Sequence, residues 1–293
     1  MKVYVAYKTT NEPWGGGNQF IRFLTDNLNK VNLLSDLKSS DLVLFNSHQH
    51  PDEILNIKKT YPEKKFVHRI DGPMRLYNSM NDNRDQLVYQ LNDIIADGTI
   101  FQSKYSLEAN ISLGLSNKKP HCIIHNESDS SIFFPKKIIP KKNKIISTSW
   151  SSNQKKGFST YEYLDNHLDF KNLEYVFAGN PPIEFKNIKN LGALTSVEIS
   201  QELRSSSLYI TASENDPCSN SLIEAISTHT PVLALDSGGH PELVLESGET
   251  YKSQESLIDL ISYMLKNLSD YKFPQTKNSI NQYISFFDKI LNE

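Results

Sequence analysis

Cysteine is scarce in this chain of 293 residues: only Cys122 and Cys218 are present. They lie far apart and outside any Cys-x-x-Cys pattern, which argues against a disulfide framework and a structural zinc site. Both are expected to be reduced, with Cys122 packed as a small apolar residue. No run approaches the ~20 apolar residues of a membrane span. The opening residues, MKVYVAY, enter a strand pattern where a signal peptide would carry a basic and then an apolar stretch. The expected compartment is therefore the cytoplasm. Basic charge is not in excess either, since the formal net charge is -3, and non-specific nucleic-acid binding needs a surplus of Lys and Arg. No Gly-x-Gly-x-x-Gly opens either half of the chain, so a dinucleotide enzyme fits poorly. Internal repeats and low-complexity tracts are absent as well.

What remains is an ordinary globular composition, 38% hydrophobic and 22% charged, in a chain long enough for two domains with a core each. The first half alternates short β-branched or aromatic runs with helical patterns. Lys2–Tyr7, Leu42–Phe45, Lys65–Ile70, Gly98–Phe101 and Cys122–Ile124 read as strands, and Gln19–Leu28, Pro51–Tyr61, Arg84–Ile95 and Ser103–Leu113 as helices. Such alternation predicts a doubly wound parallel sheet. The stretch FPKKIIPKKNK, residues 134–144, breaks the pattern with two prolines and clustered lysines and reads as an exposed linker. A second alternation follows, with strands over Lys144–Ser149, Tyr175–Ala178, Ile188–Leu191, Leu208–Ala212 and Val232–Leu235. The predicted division is therefore a Rossmann-like domain over 1–138, a second over 139–276, and an amphipathic helix within 277–293.

Residues 211–244, TASENDPCSNSLIEAISTHTPVLALDSGGHPELV, carry the strongest functional signal. The apolar strand before them empties into a polar loop that opens a helix at Ser221. A helix start with small polar residues, Ser219, Asn220 and Ser221, leaves backbone N–H groups to face an anion. Asp216 and Glu224 flank it. The next strand ends in Ser237, Gly238, Gly239 and His240, where the glycines would let backbone approach a ligand closely. Both loops leave the carboxyl ends of neighbouring strands, where open α/β sheets bind ligands. Each acid also has a plain structural reading: Ser221-Leu-Ile-Glu224 has the spacing of a capping box, and Asp216-Pro217 that of a turn.

Two acids eight positions apart, then Pro231-Val232, then Gly238-Gly239-x-Pro241-Glu242, resemble the donor-site signature of the family 4 retaining glycosyltransferases of the GT-B fold. That family usually has Glu where this chain has Asp216. The resemblance implies two Rossmann-like domains facing a cleft, with a last helix crossing back onto the first domain. It implies a nucleotide-sugar donor, with UDP- and GDP-sugars foremost, a glycan or lipid-linked acceptor, and a role of the kind found in polysaccharide biosynthesis. No cofactor or metal is implied, and the donor segment contains no Asp-x-Asp.

The resemblance also assigns residues. Lys156, in Lys155-Lys156-Gly157 after the first strand of the second domain, matches the family's phosphate-binding lysine. The arginine usual about five residues earlier is replaced by Ser151; Lys155, or Arg69 or Arg75 of the first domain, could supply the missing charge. Glu224 would accept hydrogen bonds from the ribose hydroxyls. Asp216 and the Gly238-Gly239 turn would hold the sugar, and the Ser219–Ser221 helix start the diphosphate. Gly15, Gly16 and Gly17, after the first strand, resemble the family's N-terminal glycine loop. Asp71 falls where many relatives carry a histidine at a strand end, with His68 three residues before it. Asn126 and Asp129 resemble a hinge segment.

Other readings stand beside these. His68 is equally a residue that makes an ordinary structural hydrogen bond, and His48-Gln-His50 has a metal-pair spacing without further ligands. The lysine pairs Lys58-Lys59 and Lys64-Lys65 could rest on an anionic membrane or simply be solvated. A sugar-nucleotide epimerase would use the same fold. A catalytically weak or inactive binding subunit would look like this chain in lacking the arginine.

Overall fold

The computed structural model describes residues 1–8, 16–78, 81–116, 118–137, 143–274 and 278–293. By internal contacts the chain forms two units. Among the described residues, one holds 1–8, Gly17–Asn126 and Asn278–Glu293; the other holds Gly16 and the residues from Glu127 to 274.

In the first unit the strands are β1 (Val3–Ala6), β2 (Leu42–Asn46), β3 (Lys65–Ile70), β4 (Gly98–Phe101) and β5 (His121–Ile123), all parallel and in the order β1-β2-β3-β4-β5. The helices are α1 (Gly16–Lys30), α2 (Pro51–Thr60), the single turn α3 (Met74–Tyr77), α4 (Arg84–Ile95) and α5 (Lys104–Ser112). Residue 34 bridges to Val3 on the free side of β1, so the winding direction reverses at β1. β2, β3 and β4 are buried along nearly their whole length, which is why they read as unbroken apolar runs.

The second unit has β6 (Asn143–Ser149), β7 (Leu173–Gly179), β8 (Lys189–Gly192), β9 (Leu208–Thr211), β10 (Val232–Leu235) and β11 (Gly248–Tyr251). They form a parallel sheet in the order β11-β10-β9-β6-β7-β8. Its helices are α6 (Phe158–His167), α7 (Ser196–Ser205), α8 (Asn220–Ser227), the short α9 (His240–Val244) and α10 (Leu257–Lys266). The first strand, β6, lies in the middle, with β7 and β8 on one side and β9 to β11 on the other. The winding reverses between β6 and β9, and a crevice forms at the carboxyl ends of the strands at such a switch point. β11 escaped the sequence reading because Gly-Glu-Thr-Tyr is a short edge strand with no apolar run. Five of the residues proposed as a linker, 138–142, lie outside the described residues.

The last helix, α11 (Ser279–Asn292), belongs to the first unit. Ile280, Tyr283, Phe286, Phe287 and Ile290 fall on one face at helical spacing and join Val3, Phe20, Leu24 and Leu44 in a single buried cluster. Gly98 of β4 makes room for it, since a Cβ there would lie 2.5 Å from Ile290 Cδ1. Phe287 is wholly buried. Phe287→Ala is therefore expected to cost about 3–5 kcal/mol, the range for truncating a buried aromatic. Urea denaturation followed by Trp14 and Trp150 fluorescence together with far-UV circular dichroism checks this, and a loss below about 1 kcal/mol would mean that α11 only rests on the unit.

Candidate active site

The second unit's switch point is built from three loops. The first follows β6. After Ser149 the chain makes a single 3-10 turn over Gln154–Lys156, started by the Asn153 side chain, which accepts from Lys155 N at 2.9 Å. It turns into α6 through Gly157, whose φ of 76° is left-handed. A Cβ on Gly157 would run into the Ala212 carbonyl at the end of β9. Glycine is thus required twice over, by the backbone angle and by the close approach. The Tyr161 hydroxyl of α6 accepts from Ala212 N at 3.0 Å and ties the same two elements together.

That close approach brings the second loop, after β9, against the first. Glu214 N donates to Lys155 O at 2.7 Å, and Lys155 Nζ pairs with the Glu214 carboxylate. Lys156 Nζ lies 3.3 Å from Asp216 Oδ2, both side chains retaining some exposure. Asp216 Oδ1 also accepts from Cys218 N at 3.2 Å, so the Asp-Pro turn geometry is realised alongside the ion pair. The third loop, after β10, closes on the second. Gly239 N donates to Asp216 O at 2.9 Å and Asn215 N to Ser237 Oγ at 2.9 Å. Gly238 has a left-handed φ of 64°, and a Cβ there would strike the Asp216 backbone. Lys155, Lys156, Asp216, Gly238 and Gly239 are therefore one assembly.

α8 starts one residue before the expected point, with Ser219 at the cap position and Asn220 as its first residue. Ser219 makes no side-chain cap bond. Ser221 is inside the helix, its Oγ accepting from the Tyr209 hydroxyl at 2.8 Å and lying 3.2 Å from Ser219 Oγ. The capping-box reading of Ser221 and Glu224 is thereby corrected: Tyr209 and Ser219 engage the serine, and Glu224 lies beyond the first turn. The unit's capping box is instead Thr195 with Glu198. Glu224 is half-buried, and among the described residues its carboxylate has no hydrogen-bond or ion-pair partner. Burial alone pushes its pKa up to about 8, because removing a carboxylate from water disfavours the charged form.

His240 is a residue that sequence reasoning passed over, since it occupies the variable position of the Gly-Gly-x-Pro-Glu turn. It is wholly buried, with Nδ1 2.9 Å from Leu235 O. A carbonyl only accepts, so Nδ1 carries the proton. Burial lowers the imidazole pKa, the Asp216 charge opposes this, and Lys156 adds to it. Nε2 is buried without a partner among the described residues.

The sites assigned to the first unit are arranged otherwise. Asp71 ends β3 in a polar network. Its carboxylate accepts from Arg69 Nη1 at 2.8 Å, Asn46 Nδ2 at 3.2 Å and Gln102 Nε2, and its own amide donates to Ser47 Oγ at 3.0 Å. Arg69 is wholly buried and also bonds Asn46 Oδ1 at 2.6 Å and Asn126 Oδ1 at 2.8 Å, with its guanidinium 4.9 Å above the Phe20 ring. The expectation that Arg69 closes over a phosphate is therefore corrected, because an inward-facing position on a central strand commits its charge to the unit's own core. His68 stacks on Phe45 at 4.1 Å and bonds Ser47 O and Asn92, both ring nitrogens being used. Burial lowers its pKa to about 3, so it is a neutral structural residue. His48 and His50 sit in the turn before α2, not on one strand face. Gly16 opens α1; Gly17 is exposed with nothing within 4 Å of where a Cβ would be. Gly15 lies outside the described residues.

Among the described residues no helix is long and apolar enough to cross a membrane. The sequence finds no match among curated proteins. A family model, Glycosyl transferases group 1, matches residues 162–267, a span that holds Asp216, Glu224 and the Gly238-Gly239 turn but not Lys156. Solved structures match over the whole chain. Sucrose-phosphate synthase from Thermosynechococcus elongatus is 13% identical with a TM-score of 0.74, covering 100% of this chain and 97% of that one. HepE from Anabaena, in complex with UDP, is 14% identical with a TM-score of 0.72, covering 99% and 100%. The pneumococcal O-GlcNAc transferase GtfA, in complex with UDP and GlcNAc, is 14% identical with a TM-score of 0.65, covering 96% and 61%. The chain thus has the GT-B architecture of two parallel-sheet α/β units, and residues 162–267 match the group 1 glycosyltransferases.

Proposed function

We propose that the protein is a retaining glycosyltransferase that moves a sugar from a nucleotide-sugar donor to a hydroxyl of a glycan or lipid-linked acceptor. UDP is the first nucleotide to test, because it is bound in HepE and GtfA. The observation that carries the reading is the half-buried Glu224 carboxylate, without a protein hydrogen-bond donor among the described residues, at the ribose position of the signature. A group held that way lacks hydrogen-bond donors, and a ribose diol supplies two.

The remaining parts fit the chemistry. When the bond between the anomeric carbon and the diphosphate breaks, its electron pair goes to the leaving phosphate oxygen. Lys156 and the start of α8 would stabilise that charge, without a resident metal. In the free protein Lys156 is held by Asp216; a diphosphate would take over the ammonium and release Asp216 to the sugar hydroxyls. The acceptor oxygen attacks the face the diphosphate leaves, and its proton passes to the departing phosphate oxygen, so no protein nucleophile is needed. Asp71 would act on the acceptor side. One observation favours the alternative of an inactive binding subunit: Ser151 stands at the usual arginine position and its Oγ accepts from Asn153 N at 3.2 Å within the local turn. Nucleotide binding without turnover would establish that alternative.

Lys156→Ala is expected to lower kcat for transfer from a UDP- or GDP-sugar by ~10²-fold or more, as when one preorganised charge-stabilising donor is removed. Steady-state transfer by the purified variant, with circular dichroism to establish folding, checks this; an unchanged rate removes Lys156 from the site.

Glu224→Gln separates ligand binding from structure. Donor affinity should fall by roughly 1.5–3 kcal/mol, the worth of hydrogen bonds to a charged group. Stability should move the other way. The folded pKa, about 8, is above the ordinary 4.5, so the native state binds more protons between these values and loses stability as pH rises through that window. The glutamine variant has no such loss, and its melting temperature relative to the parent should climb from pH 5 to pH 9. A difference independent of pH would mean that Glu224 is not an unpaired carboxylate.

Binding itself should release a proton. Ribose hydroxyls donating to Glu224 stabilise the ionised form, so at pH 7, below its free pKa of about 8, nucleotide binding expels up to one proton from this group. Titration calorimetry in two buffers of different ionisation enthalpy reads it, with Glu224→Gln as the baseline for protons from the phosphates. Equal release by both proteins would detach Glu224 from the ribose.

A further inference from the structure

A cavity of about 300 Å³ opens at the other end of the second unit's sheet, lined by Lys136, Lys137, Ser207, His229, Tyr271 and Phe273 among others. Ser207 directly precedes β9, and in a parallel sheet all amino ends lie on one edge. The cavity is therefore separated from the carboxyl-end site by the length of β9, about 13 Å for four residues. Among the described residues its ionisable lining consists of two lysines, a histidine and a tyrosine, with no carboxylate. Acids act on the lining from flanking segments: Asp270, which accepts weakly from Ser269 Oγ at 3.4 Å, and Glu249, which acts on Tyr271.

Among the described residues, neither Lys136 nor His229 has an acidic counter-charge. Lys136 Nζ donates to Ser206 O at 2.8 Å, which leaves two of three ammonium donors. Burial, with no opposing charge, pushes its pKa down to about 8. His229 is fixed by a left-handed backbone with φ of 57° and stacks on Phe273 at 4.7 Å with an interplanar angle of 10°. Burial and the Lys136 charge lower its pKa too. The ring stack makes one wall flat and aromatic. The volume is at the small end of ligand pockets. Lysines act as point charges suited to a phosphate, whereas planar carboxylate recognition favours the arginine fork.

We propose that this cavity binds a small phosphomonoester, its phosphate held between Lys136, Lys137 and His229 and its organic part lying against Phe273 and Tyr271. The site is independent of the donor site, and so is its test.

Proton NMR of the histidine rings, with His229→Asn assigning the His229 signal, would be followed during titration with phenyl phosphate and with inorganic phosphate. Asparagine tolerates the left-handed backbone, so the assignment variant keeps the turn. The expected result is a saturable shift of the His229 signal and a raised titration midpoint. Phenyl phosphate should bind at least about threefold tighter than inorganic phosphate, since the aromatic wall takes its ring. Lys136→Met should weaken binding about tenfold and the exposed Lys137→Gln about threefold, while Lys156→Ala leaves it unchanged. An unmoved His229 signal at about 10 mM phenyl phosphate, a Kd corresponding to only about 3 kcal/mol, would overturn the proposal. So would equal affinity for the two ligands, or binding lost in Lys156→Ala and kept in the lysine variants of the cavity. Should Lys136→Met fail to fold, Lys137→Gln decides.

Discussion

The candidate site depends on the pairing of β6 with β9. Ile145 lies beside Leu208 and Ile146 beside Tyr209, although more than 60 residues separate them in sequence. Parallel pairing of two strands forces their carboxyl ends to the same edge, and the reversal of winding between them leaves no helix crossing over that edge. Gly157 then sets the distance between the two loops, because its missing side chain is what lets the turn after β6 touch the end of β9. With that spacing fixed, Lys156 meets Asp216, and the Gly238 turn closes on the Asp216 backbone. The polar contacts of the three loops follow from a backbone arrangement that the apolar strands impose.

The charges of the two units are handled in opposite ways. Arg69 is wholly buried and surrounded by Asn46, Asp71 and Asn126, as a buried charge must be if it is not to destabilise the fold. Its network joins the ends of β2 and β3 to Asn126 and commits the guanidinium to the unit's own core. In the second unit Lys155 and Lys156 keep some exposure and pair with Glu214 and Asp216, contacts that the proposed diphosphate would displace. Glu224 and His240 go further, each having a polar atom without a protein hydrogen-bond partner among the described residues. Such groups oppose folding, and they persist where a bound ligand supplies what is missing.

Much of the architecture was legible because buried parallel strands are continuous apolar runs. The strands over Leu42–Asn46, Lys65–Ile70 and Val232–Leu235 announce themselves in this way, whereas the edge strand Gly248–Tyr251 does not, its burial depending on neighbours far away in sequence. The local turn chemistry of Asp216-Pro217 and Gly238-Gly239 was legible too. The exact start of α8 was not, because Ser219 and Ser221 are equally good caps by type, and the Tyr209 hydroxyl, reaching across from β9, occupies the second. Arg69 had the right residue type for a phosphate and the wrong direction, which alternation on a strand decides only once the buried face is known.

His240 marks where residue type and position stop being informative. In sequence it is a variable residue between a glycine pair and a proline; in space it is sealed beneath the third loop, donating to Leu235 O. That bond fixes its tautomer, and burial keeps it neutral, so the lone pair of Nε2 is oriented by the fold rather than by a ligand. The Lys156 charge holds the imidazole further from protonation, and the Asp216 charge works against it. A diphosphate bound as proposed would draw Lys156 away from Asp216 and change both influences on His240 together. The turn that holds Asp216 in place is thus electrostatically coupled to the ion pair it supports.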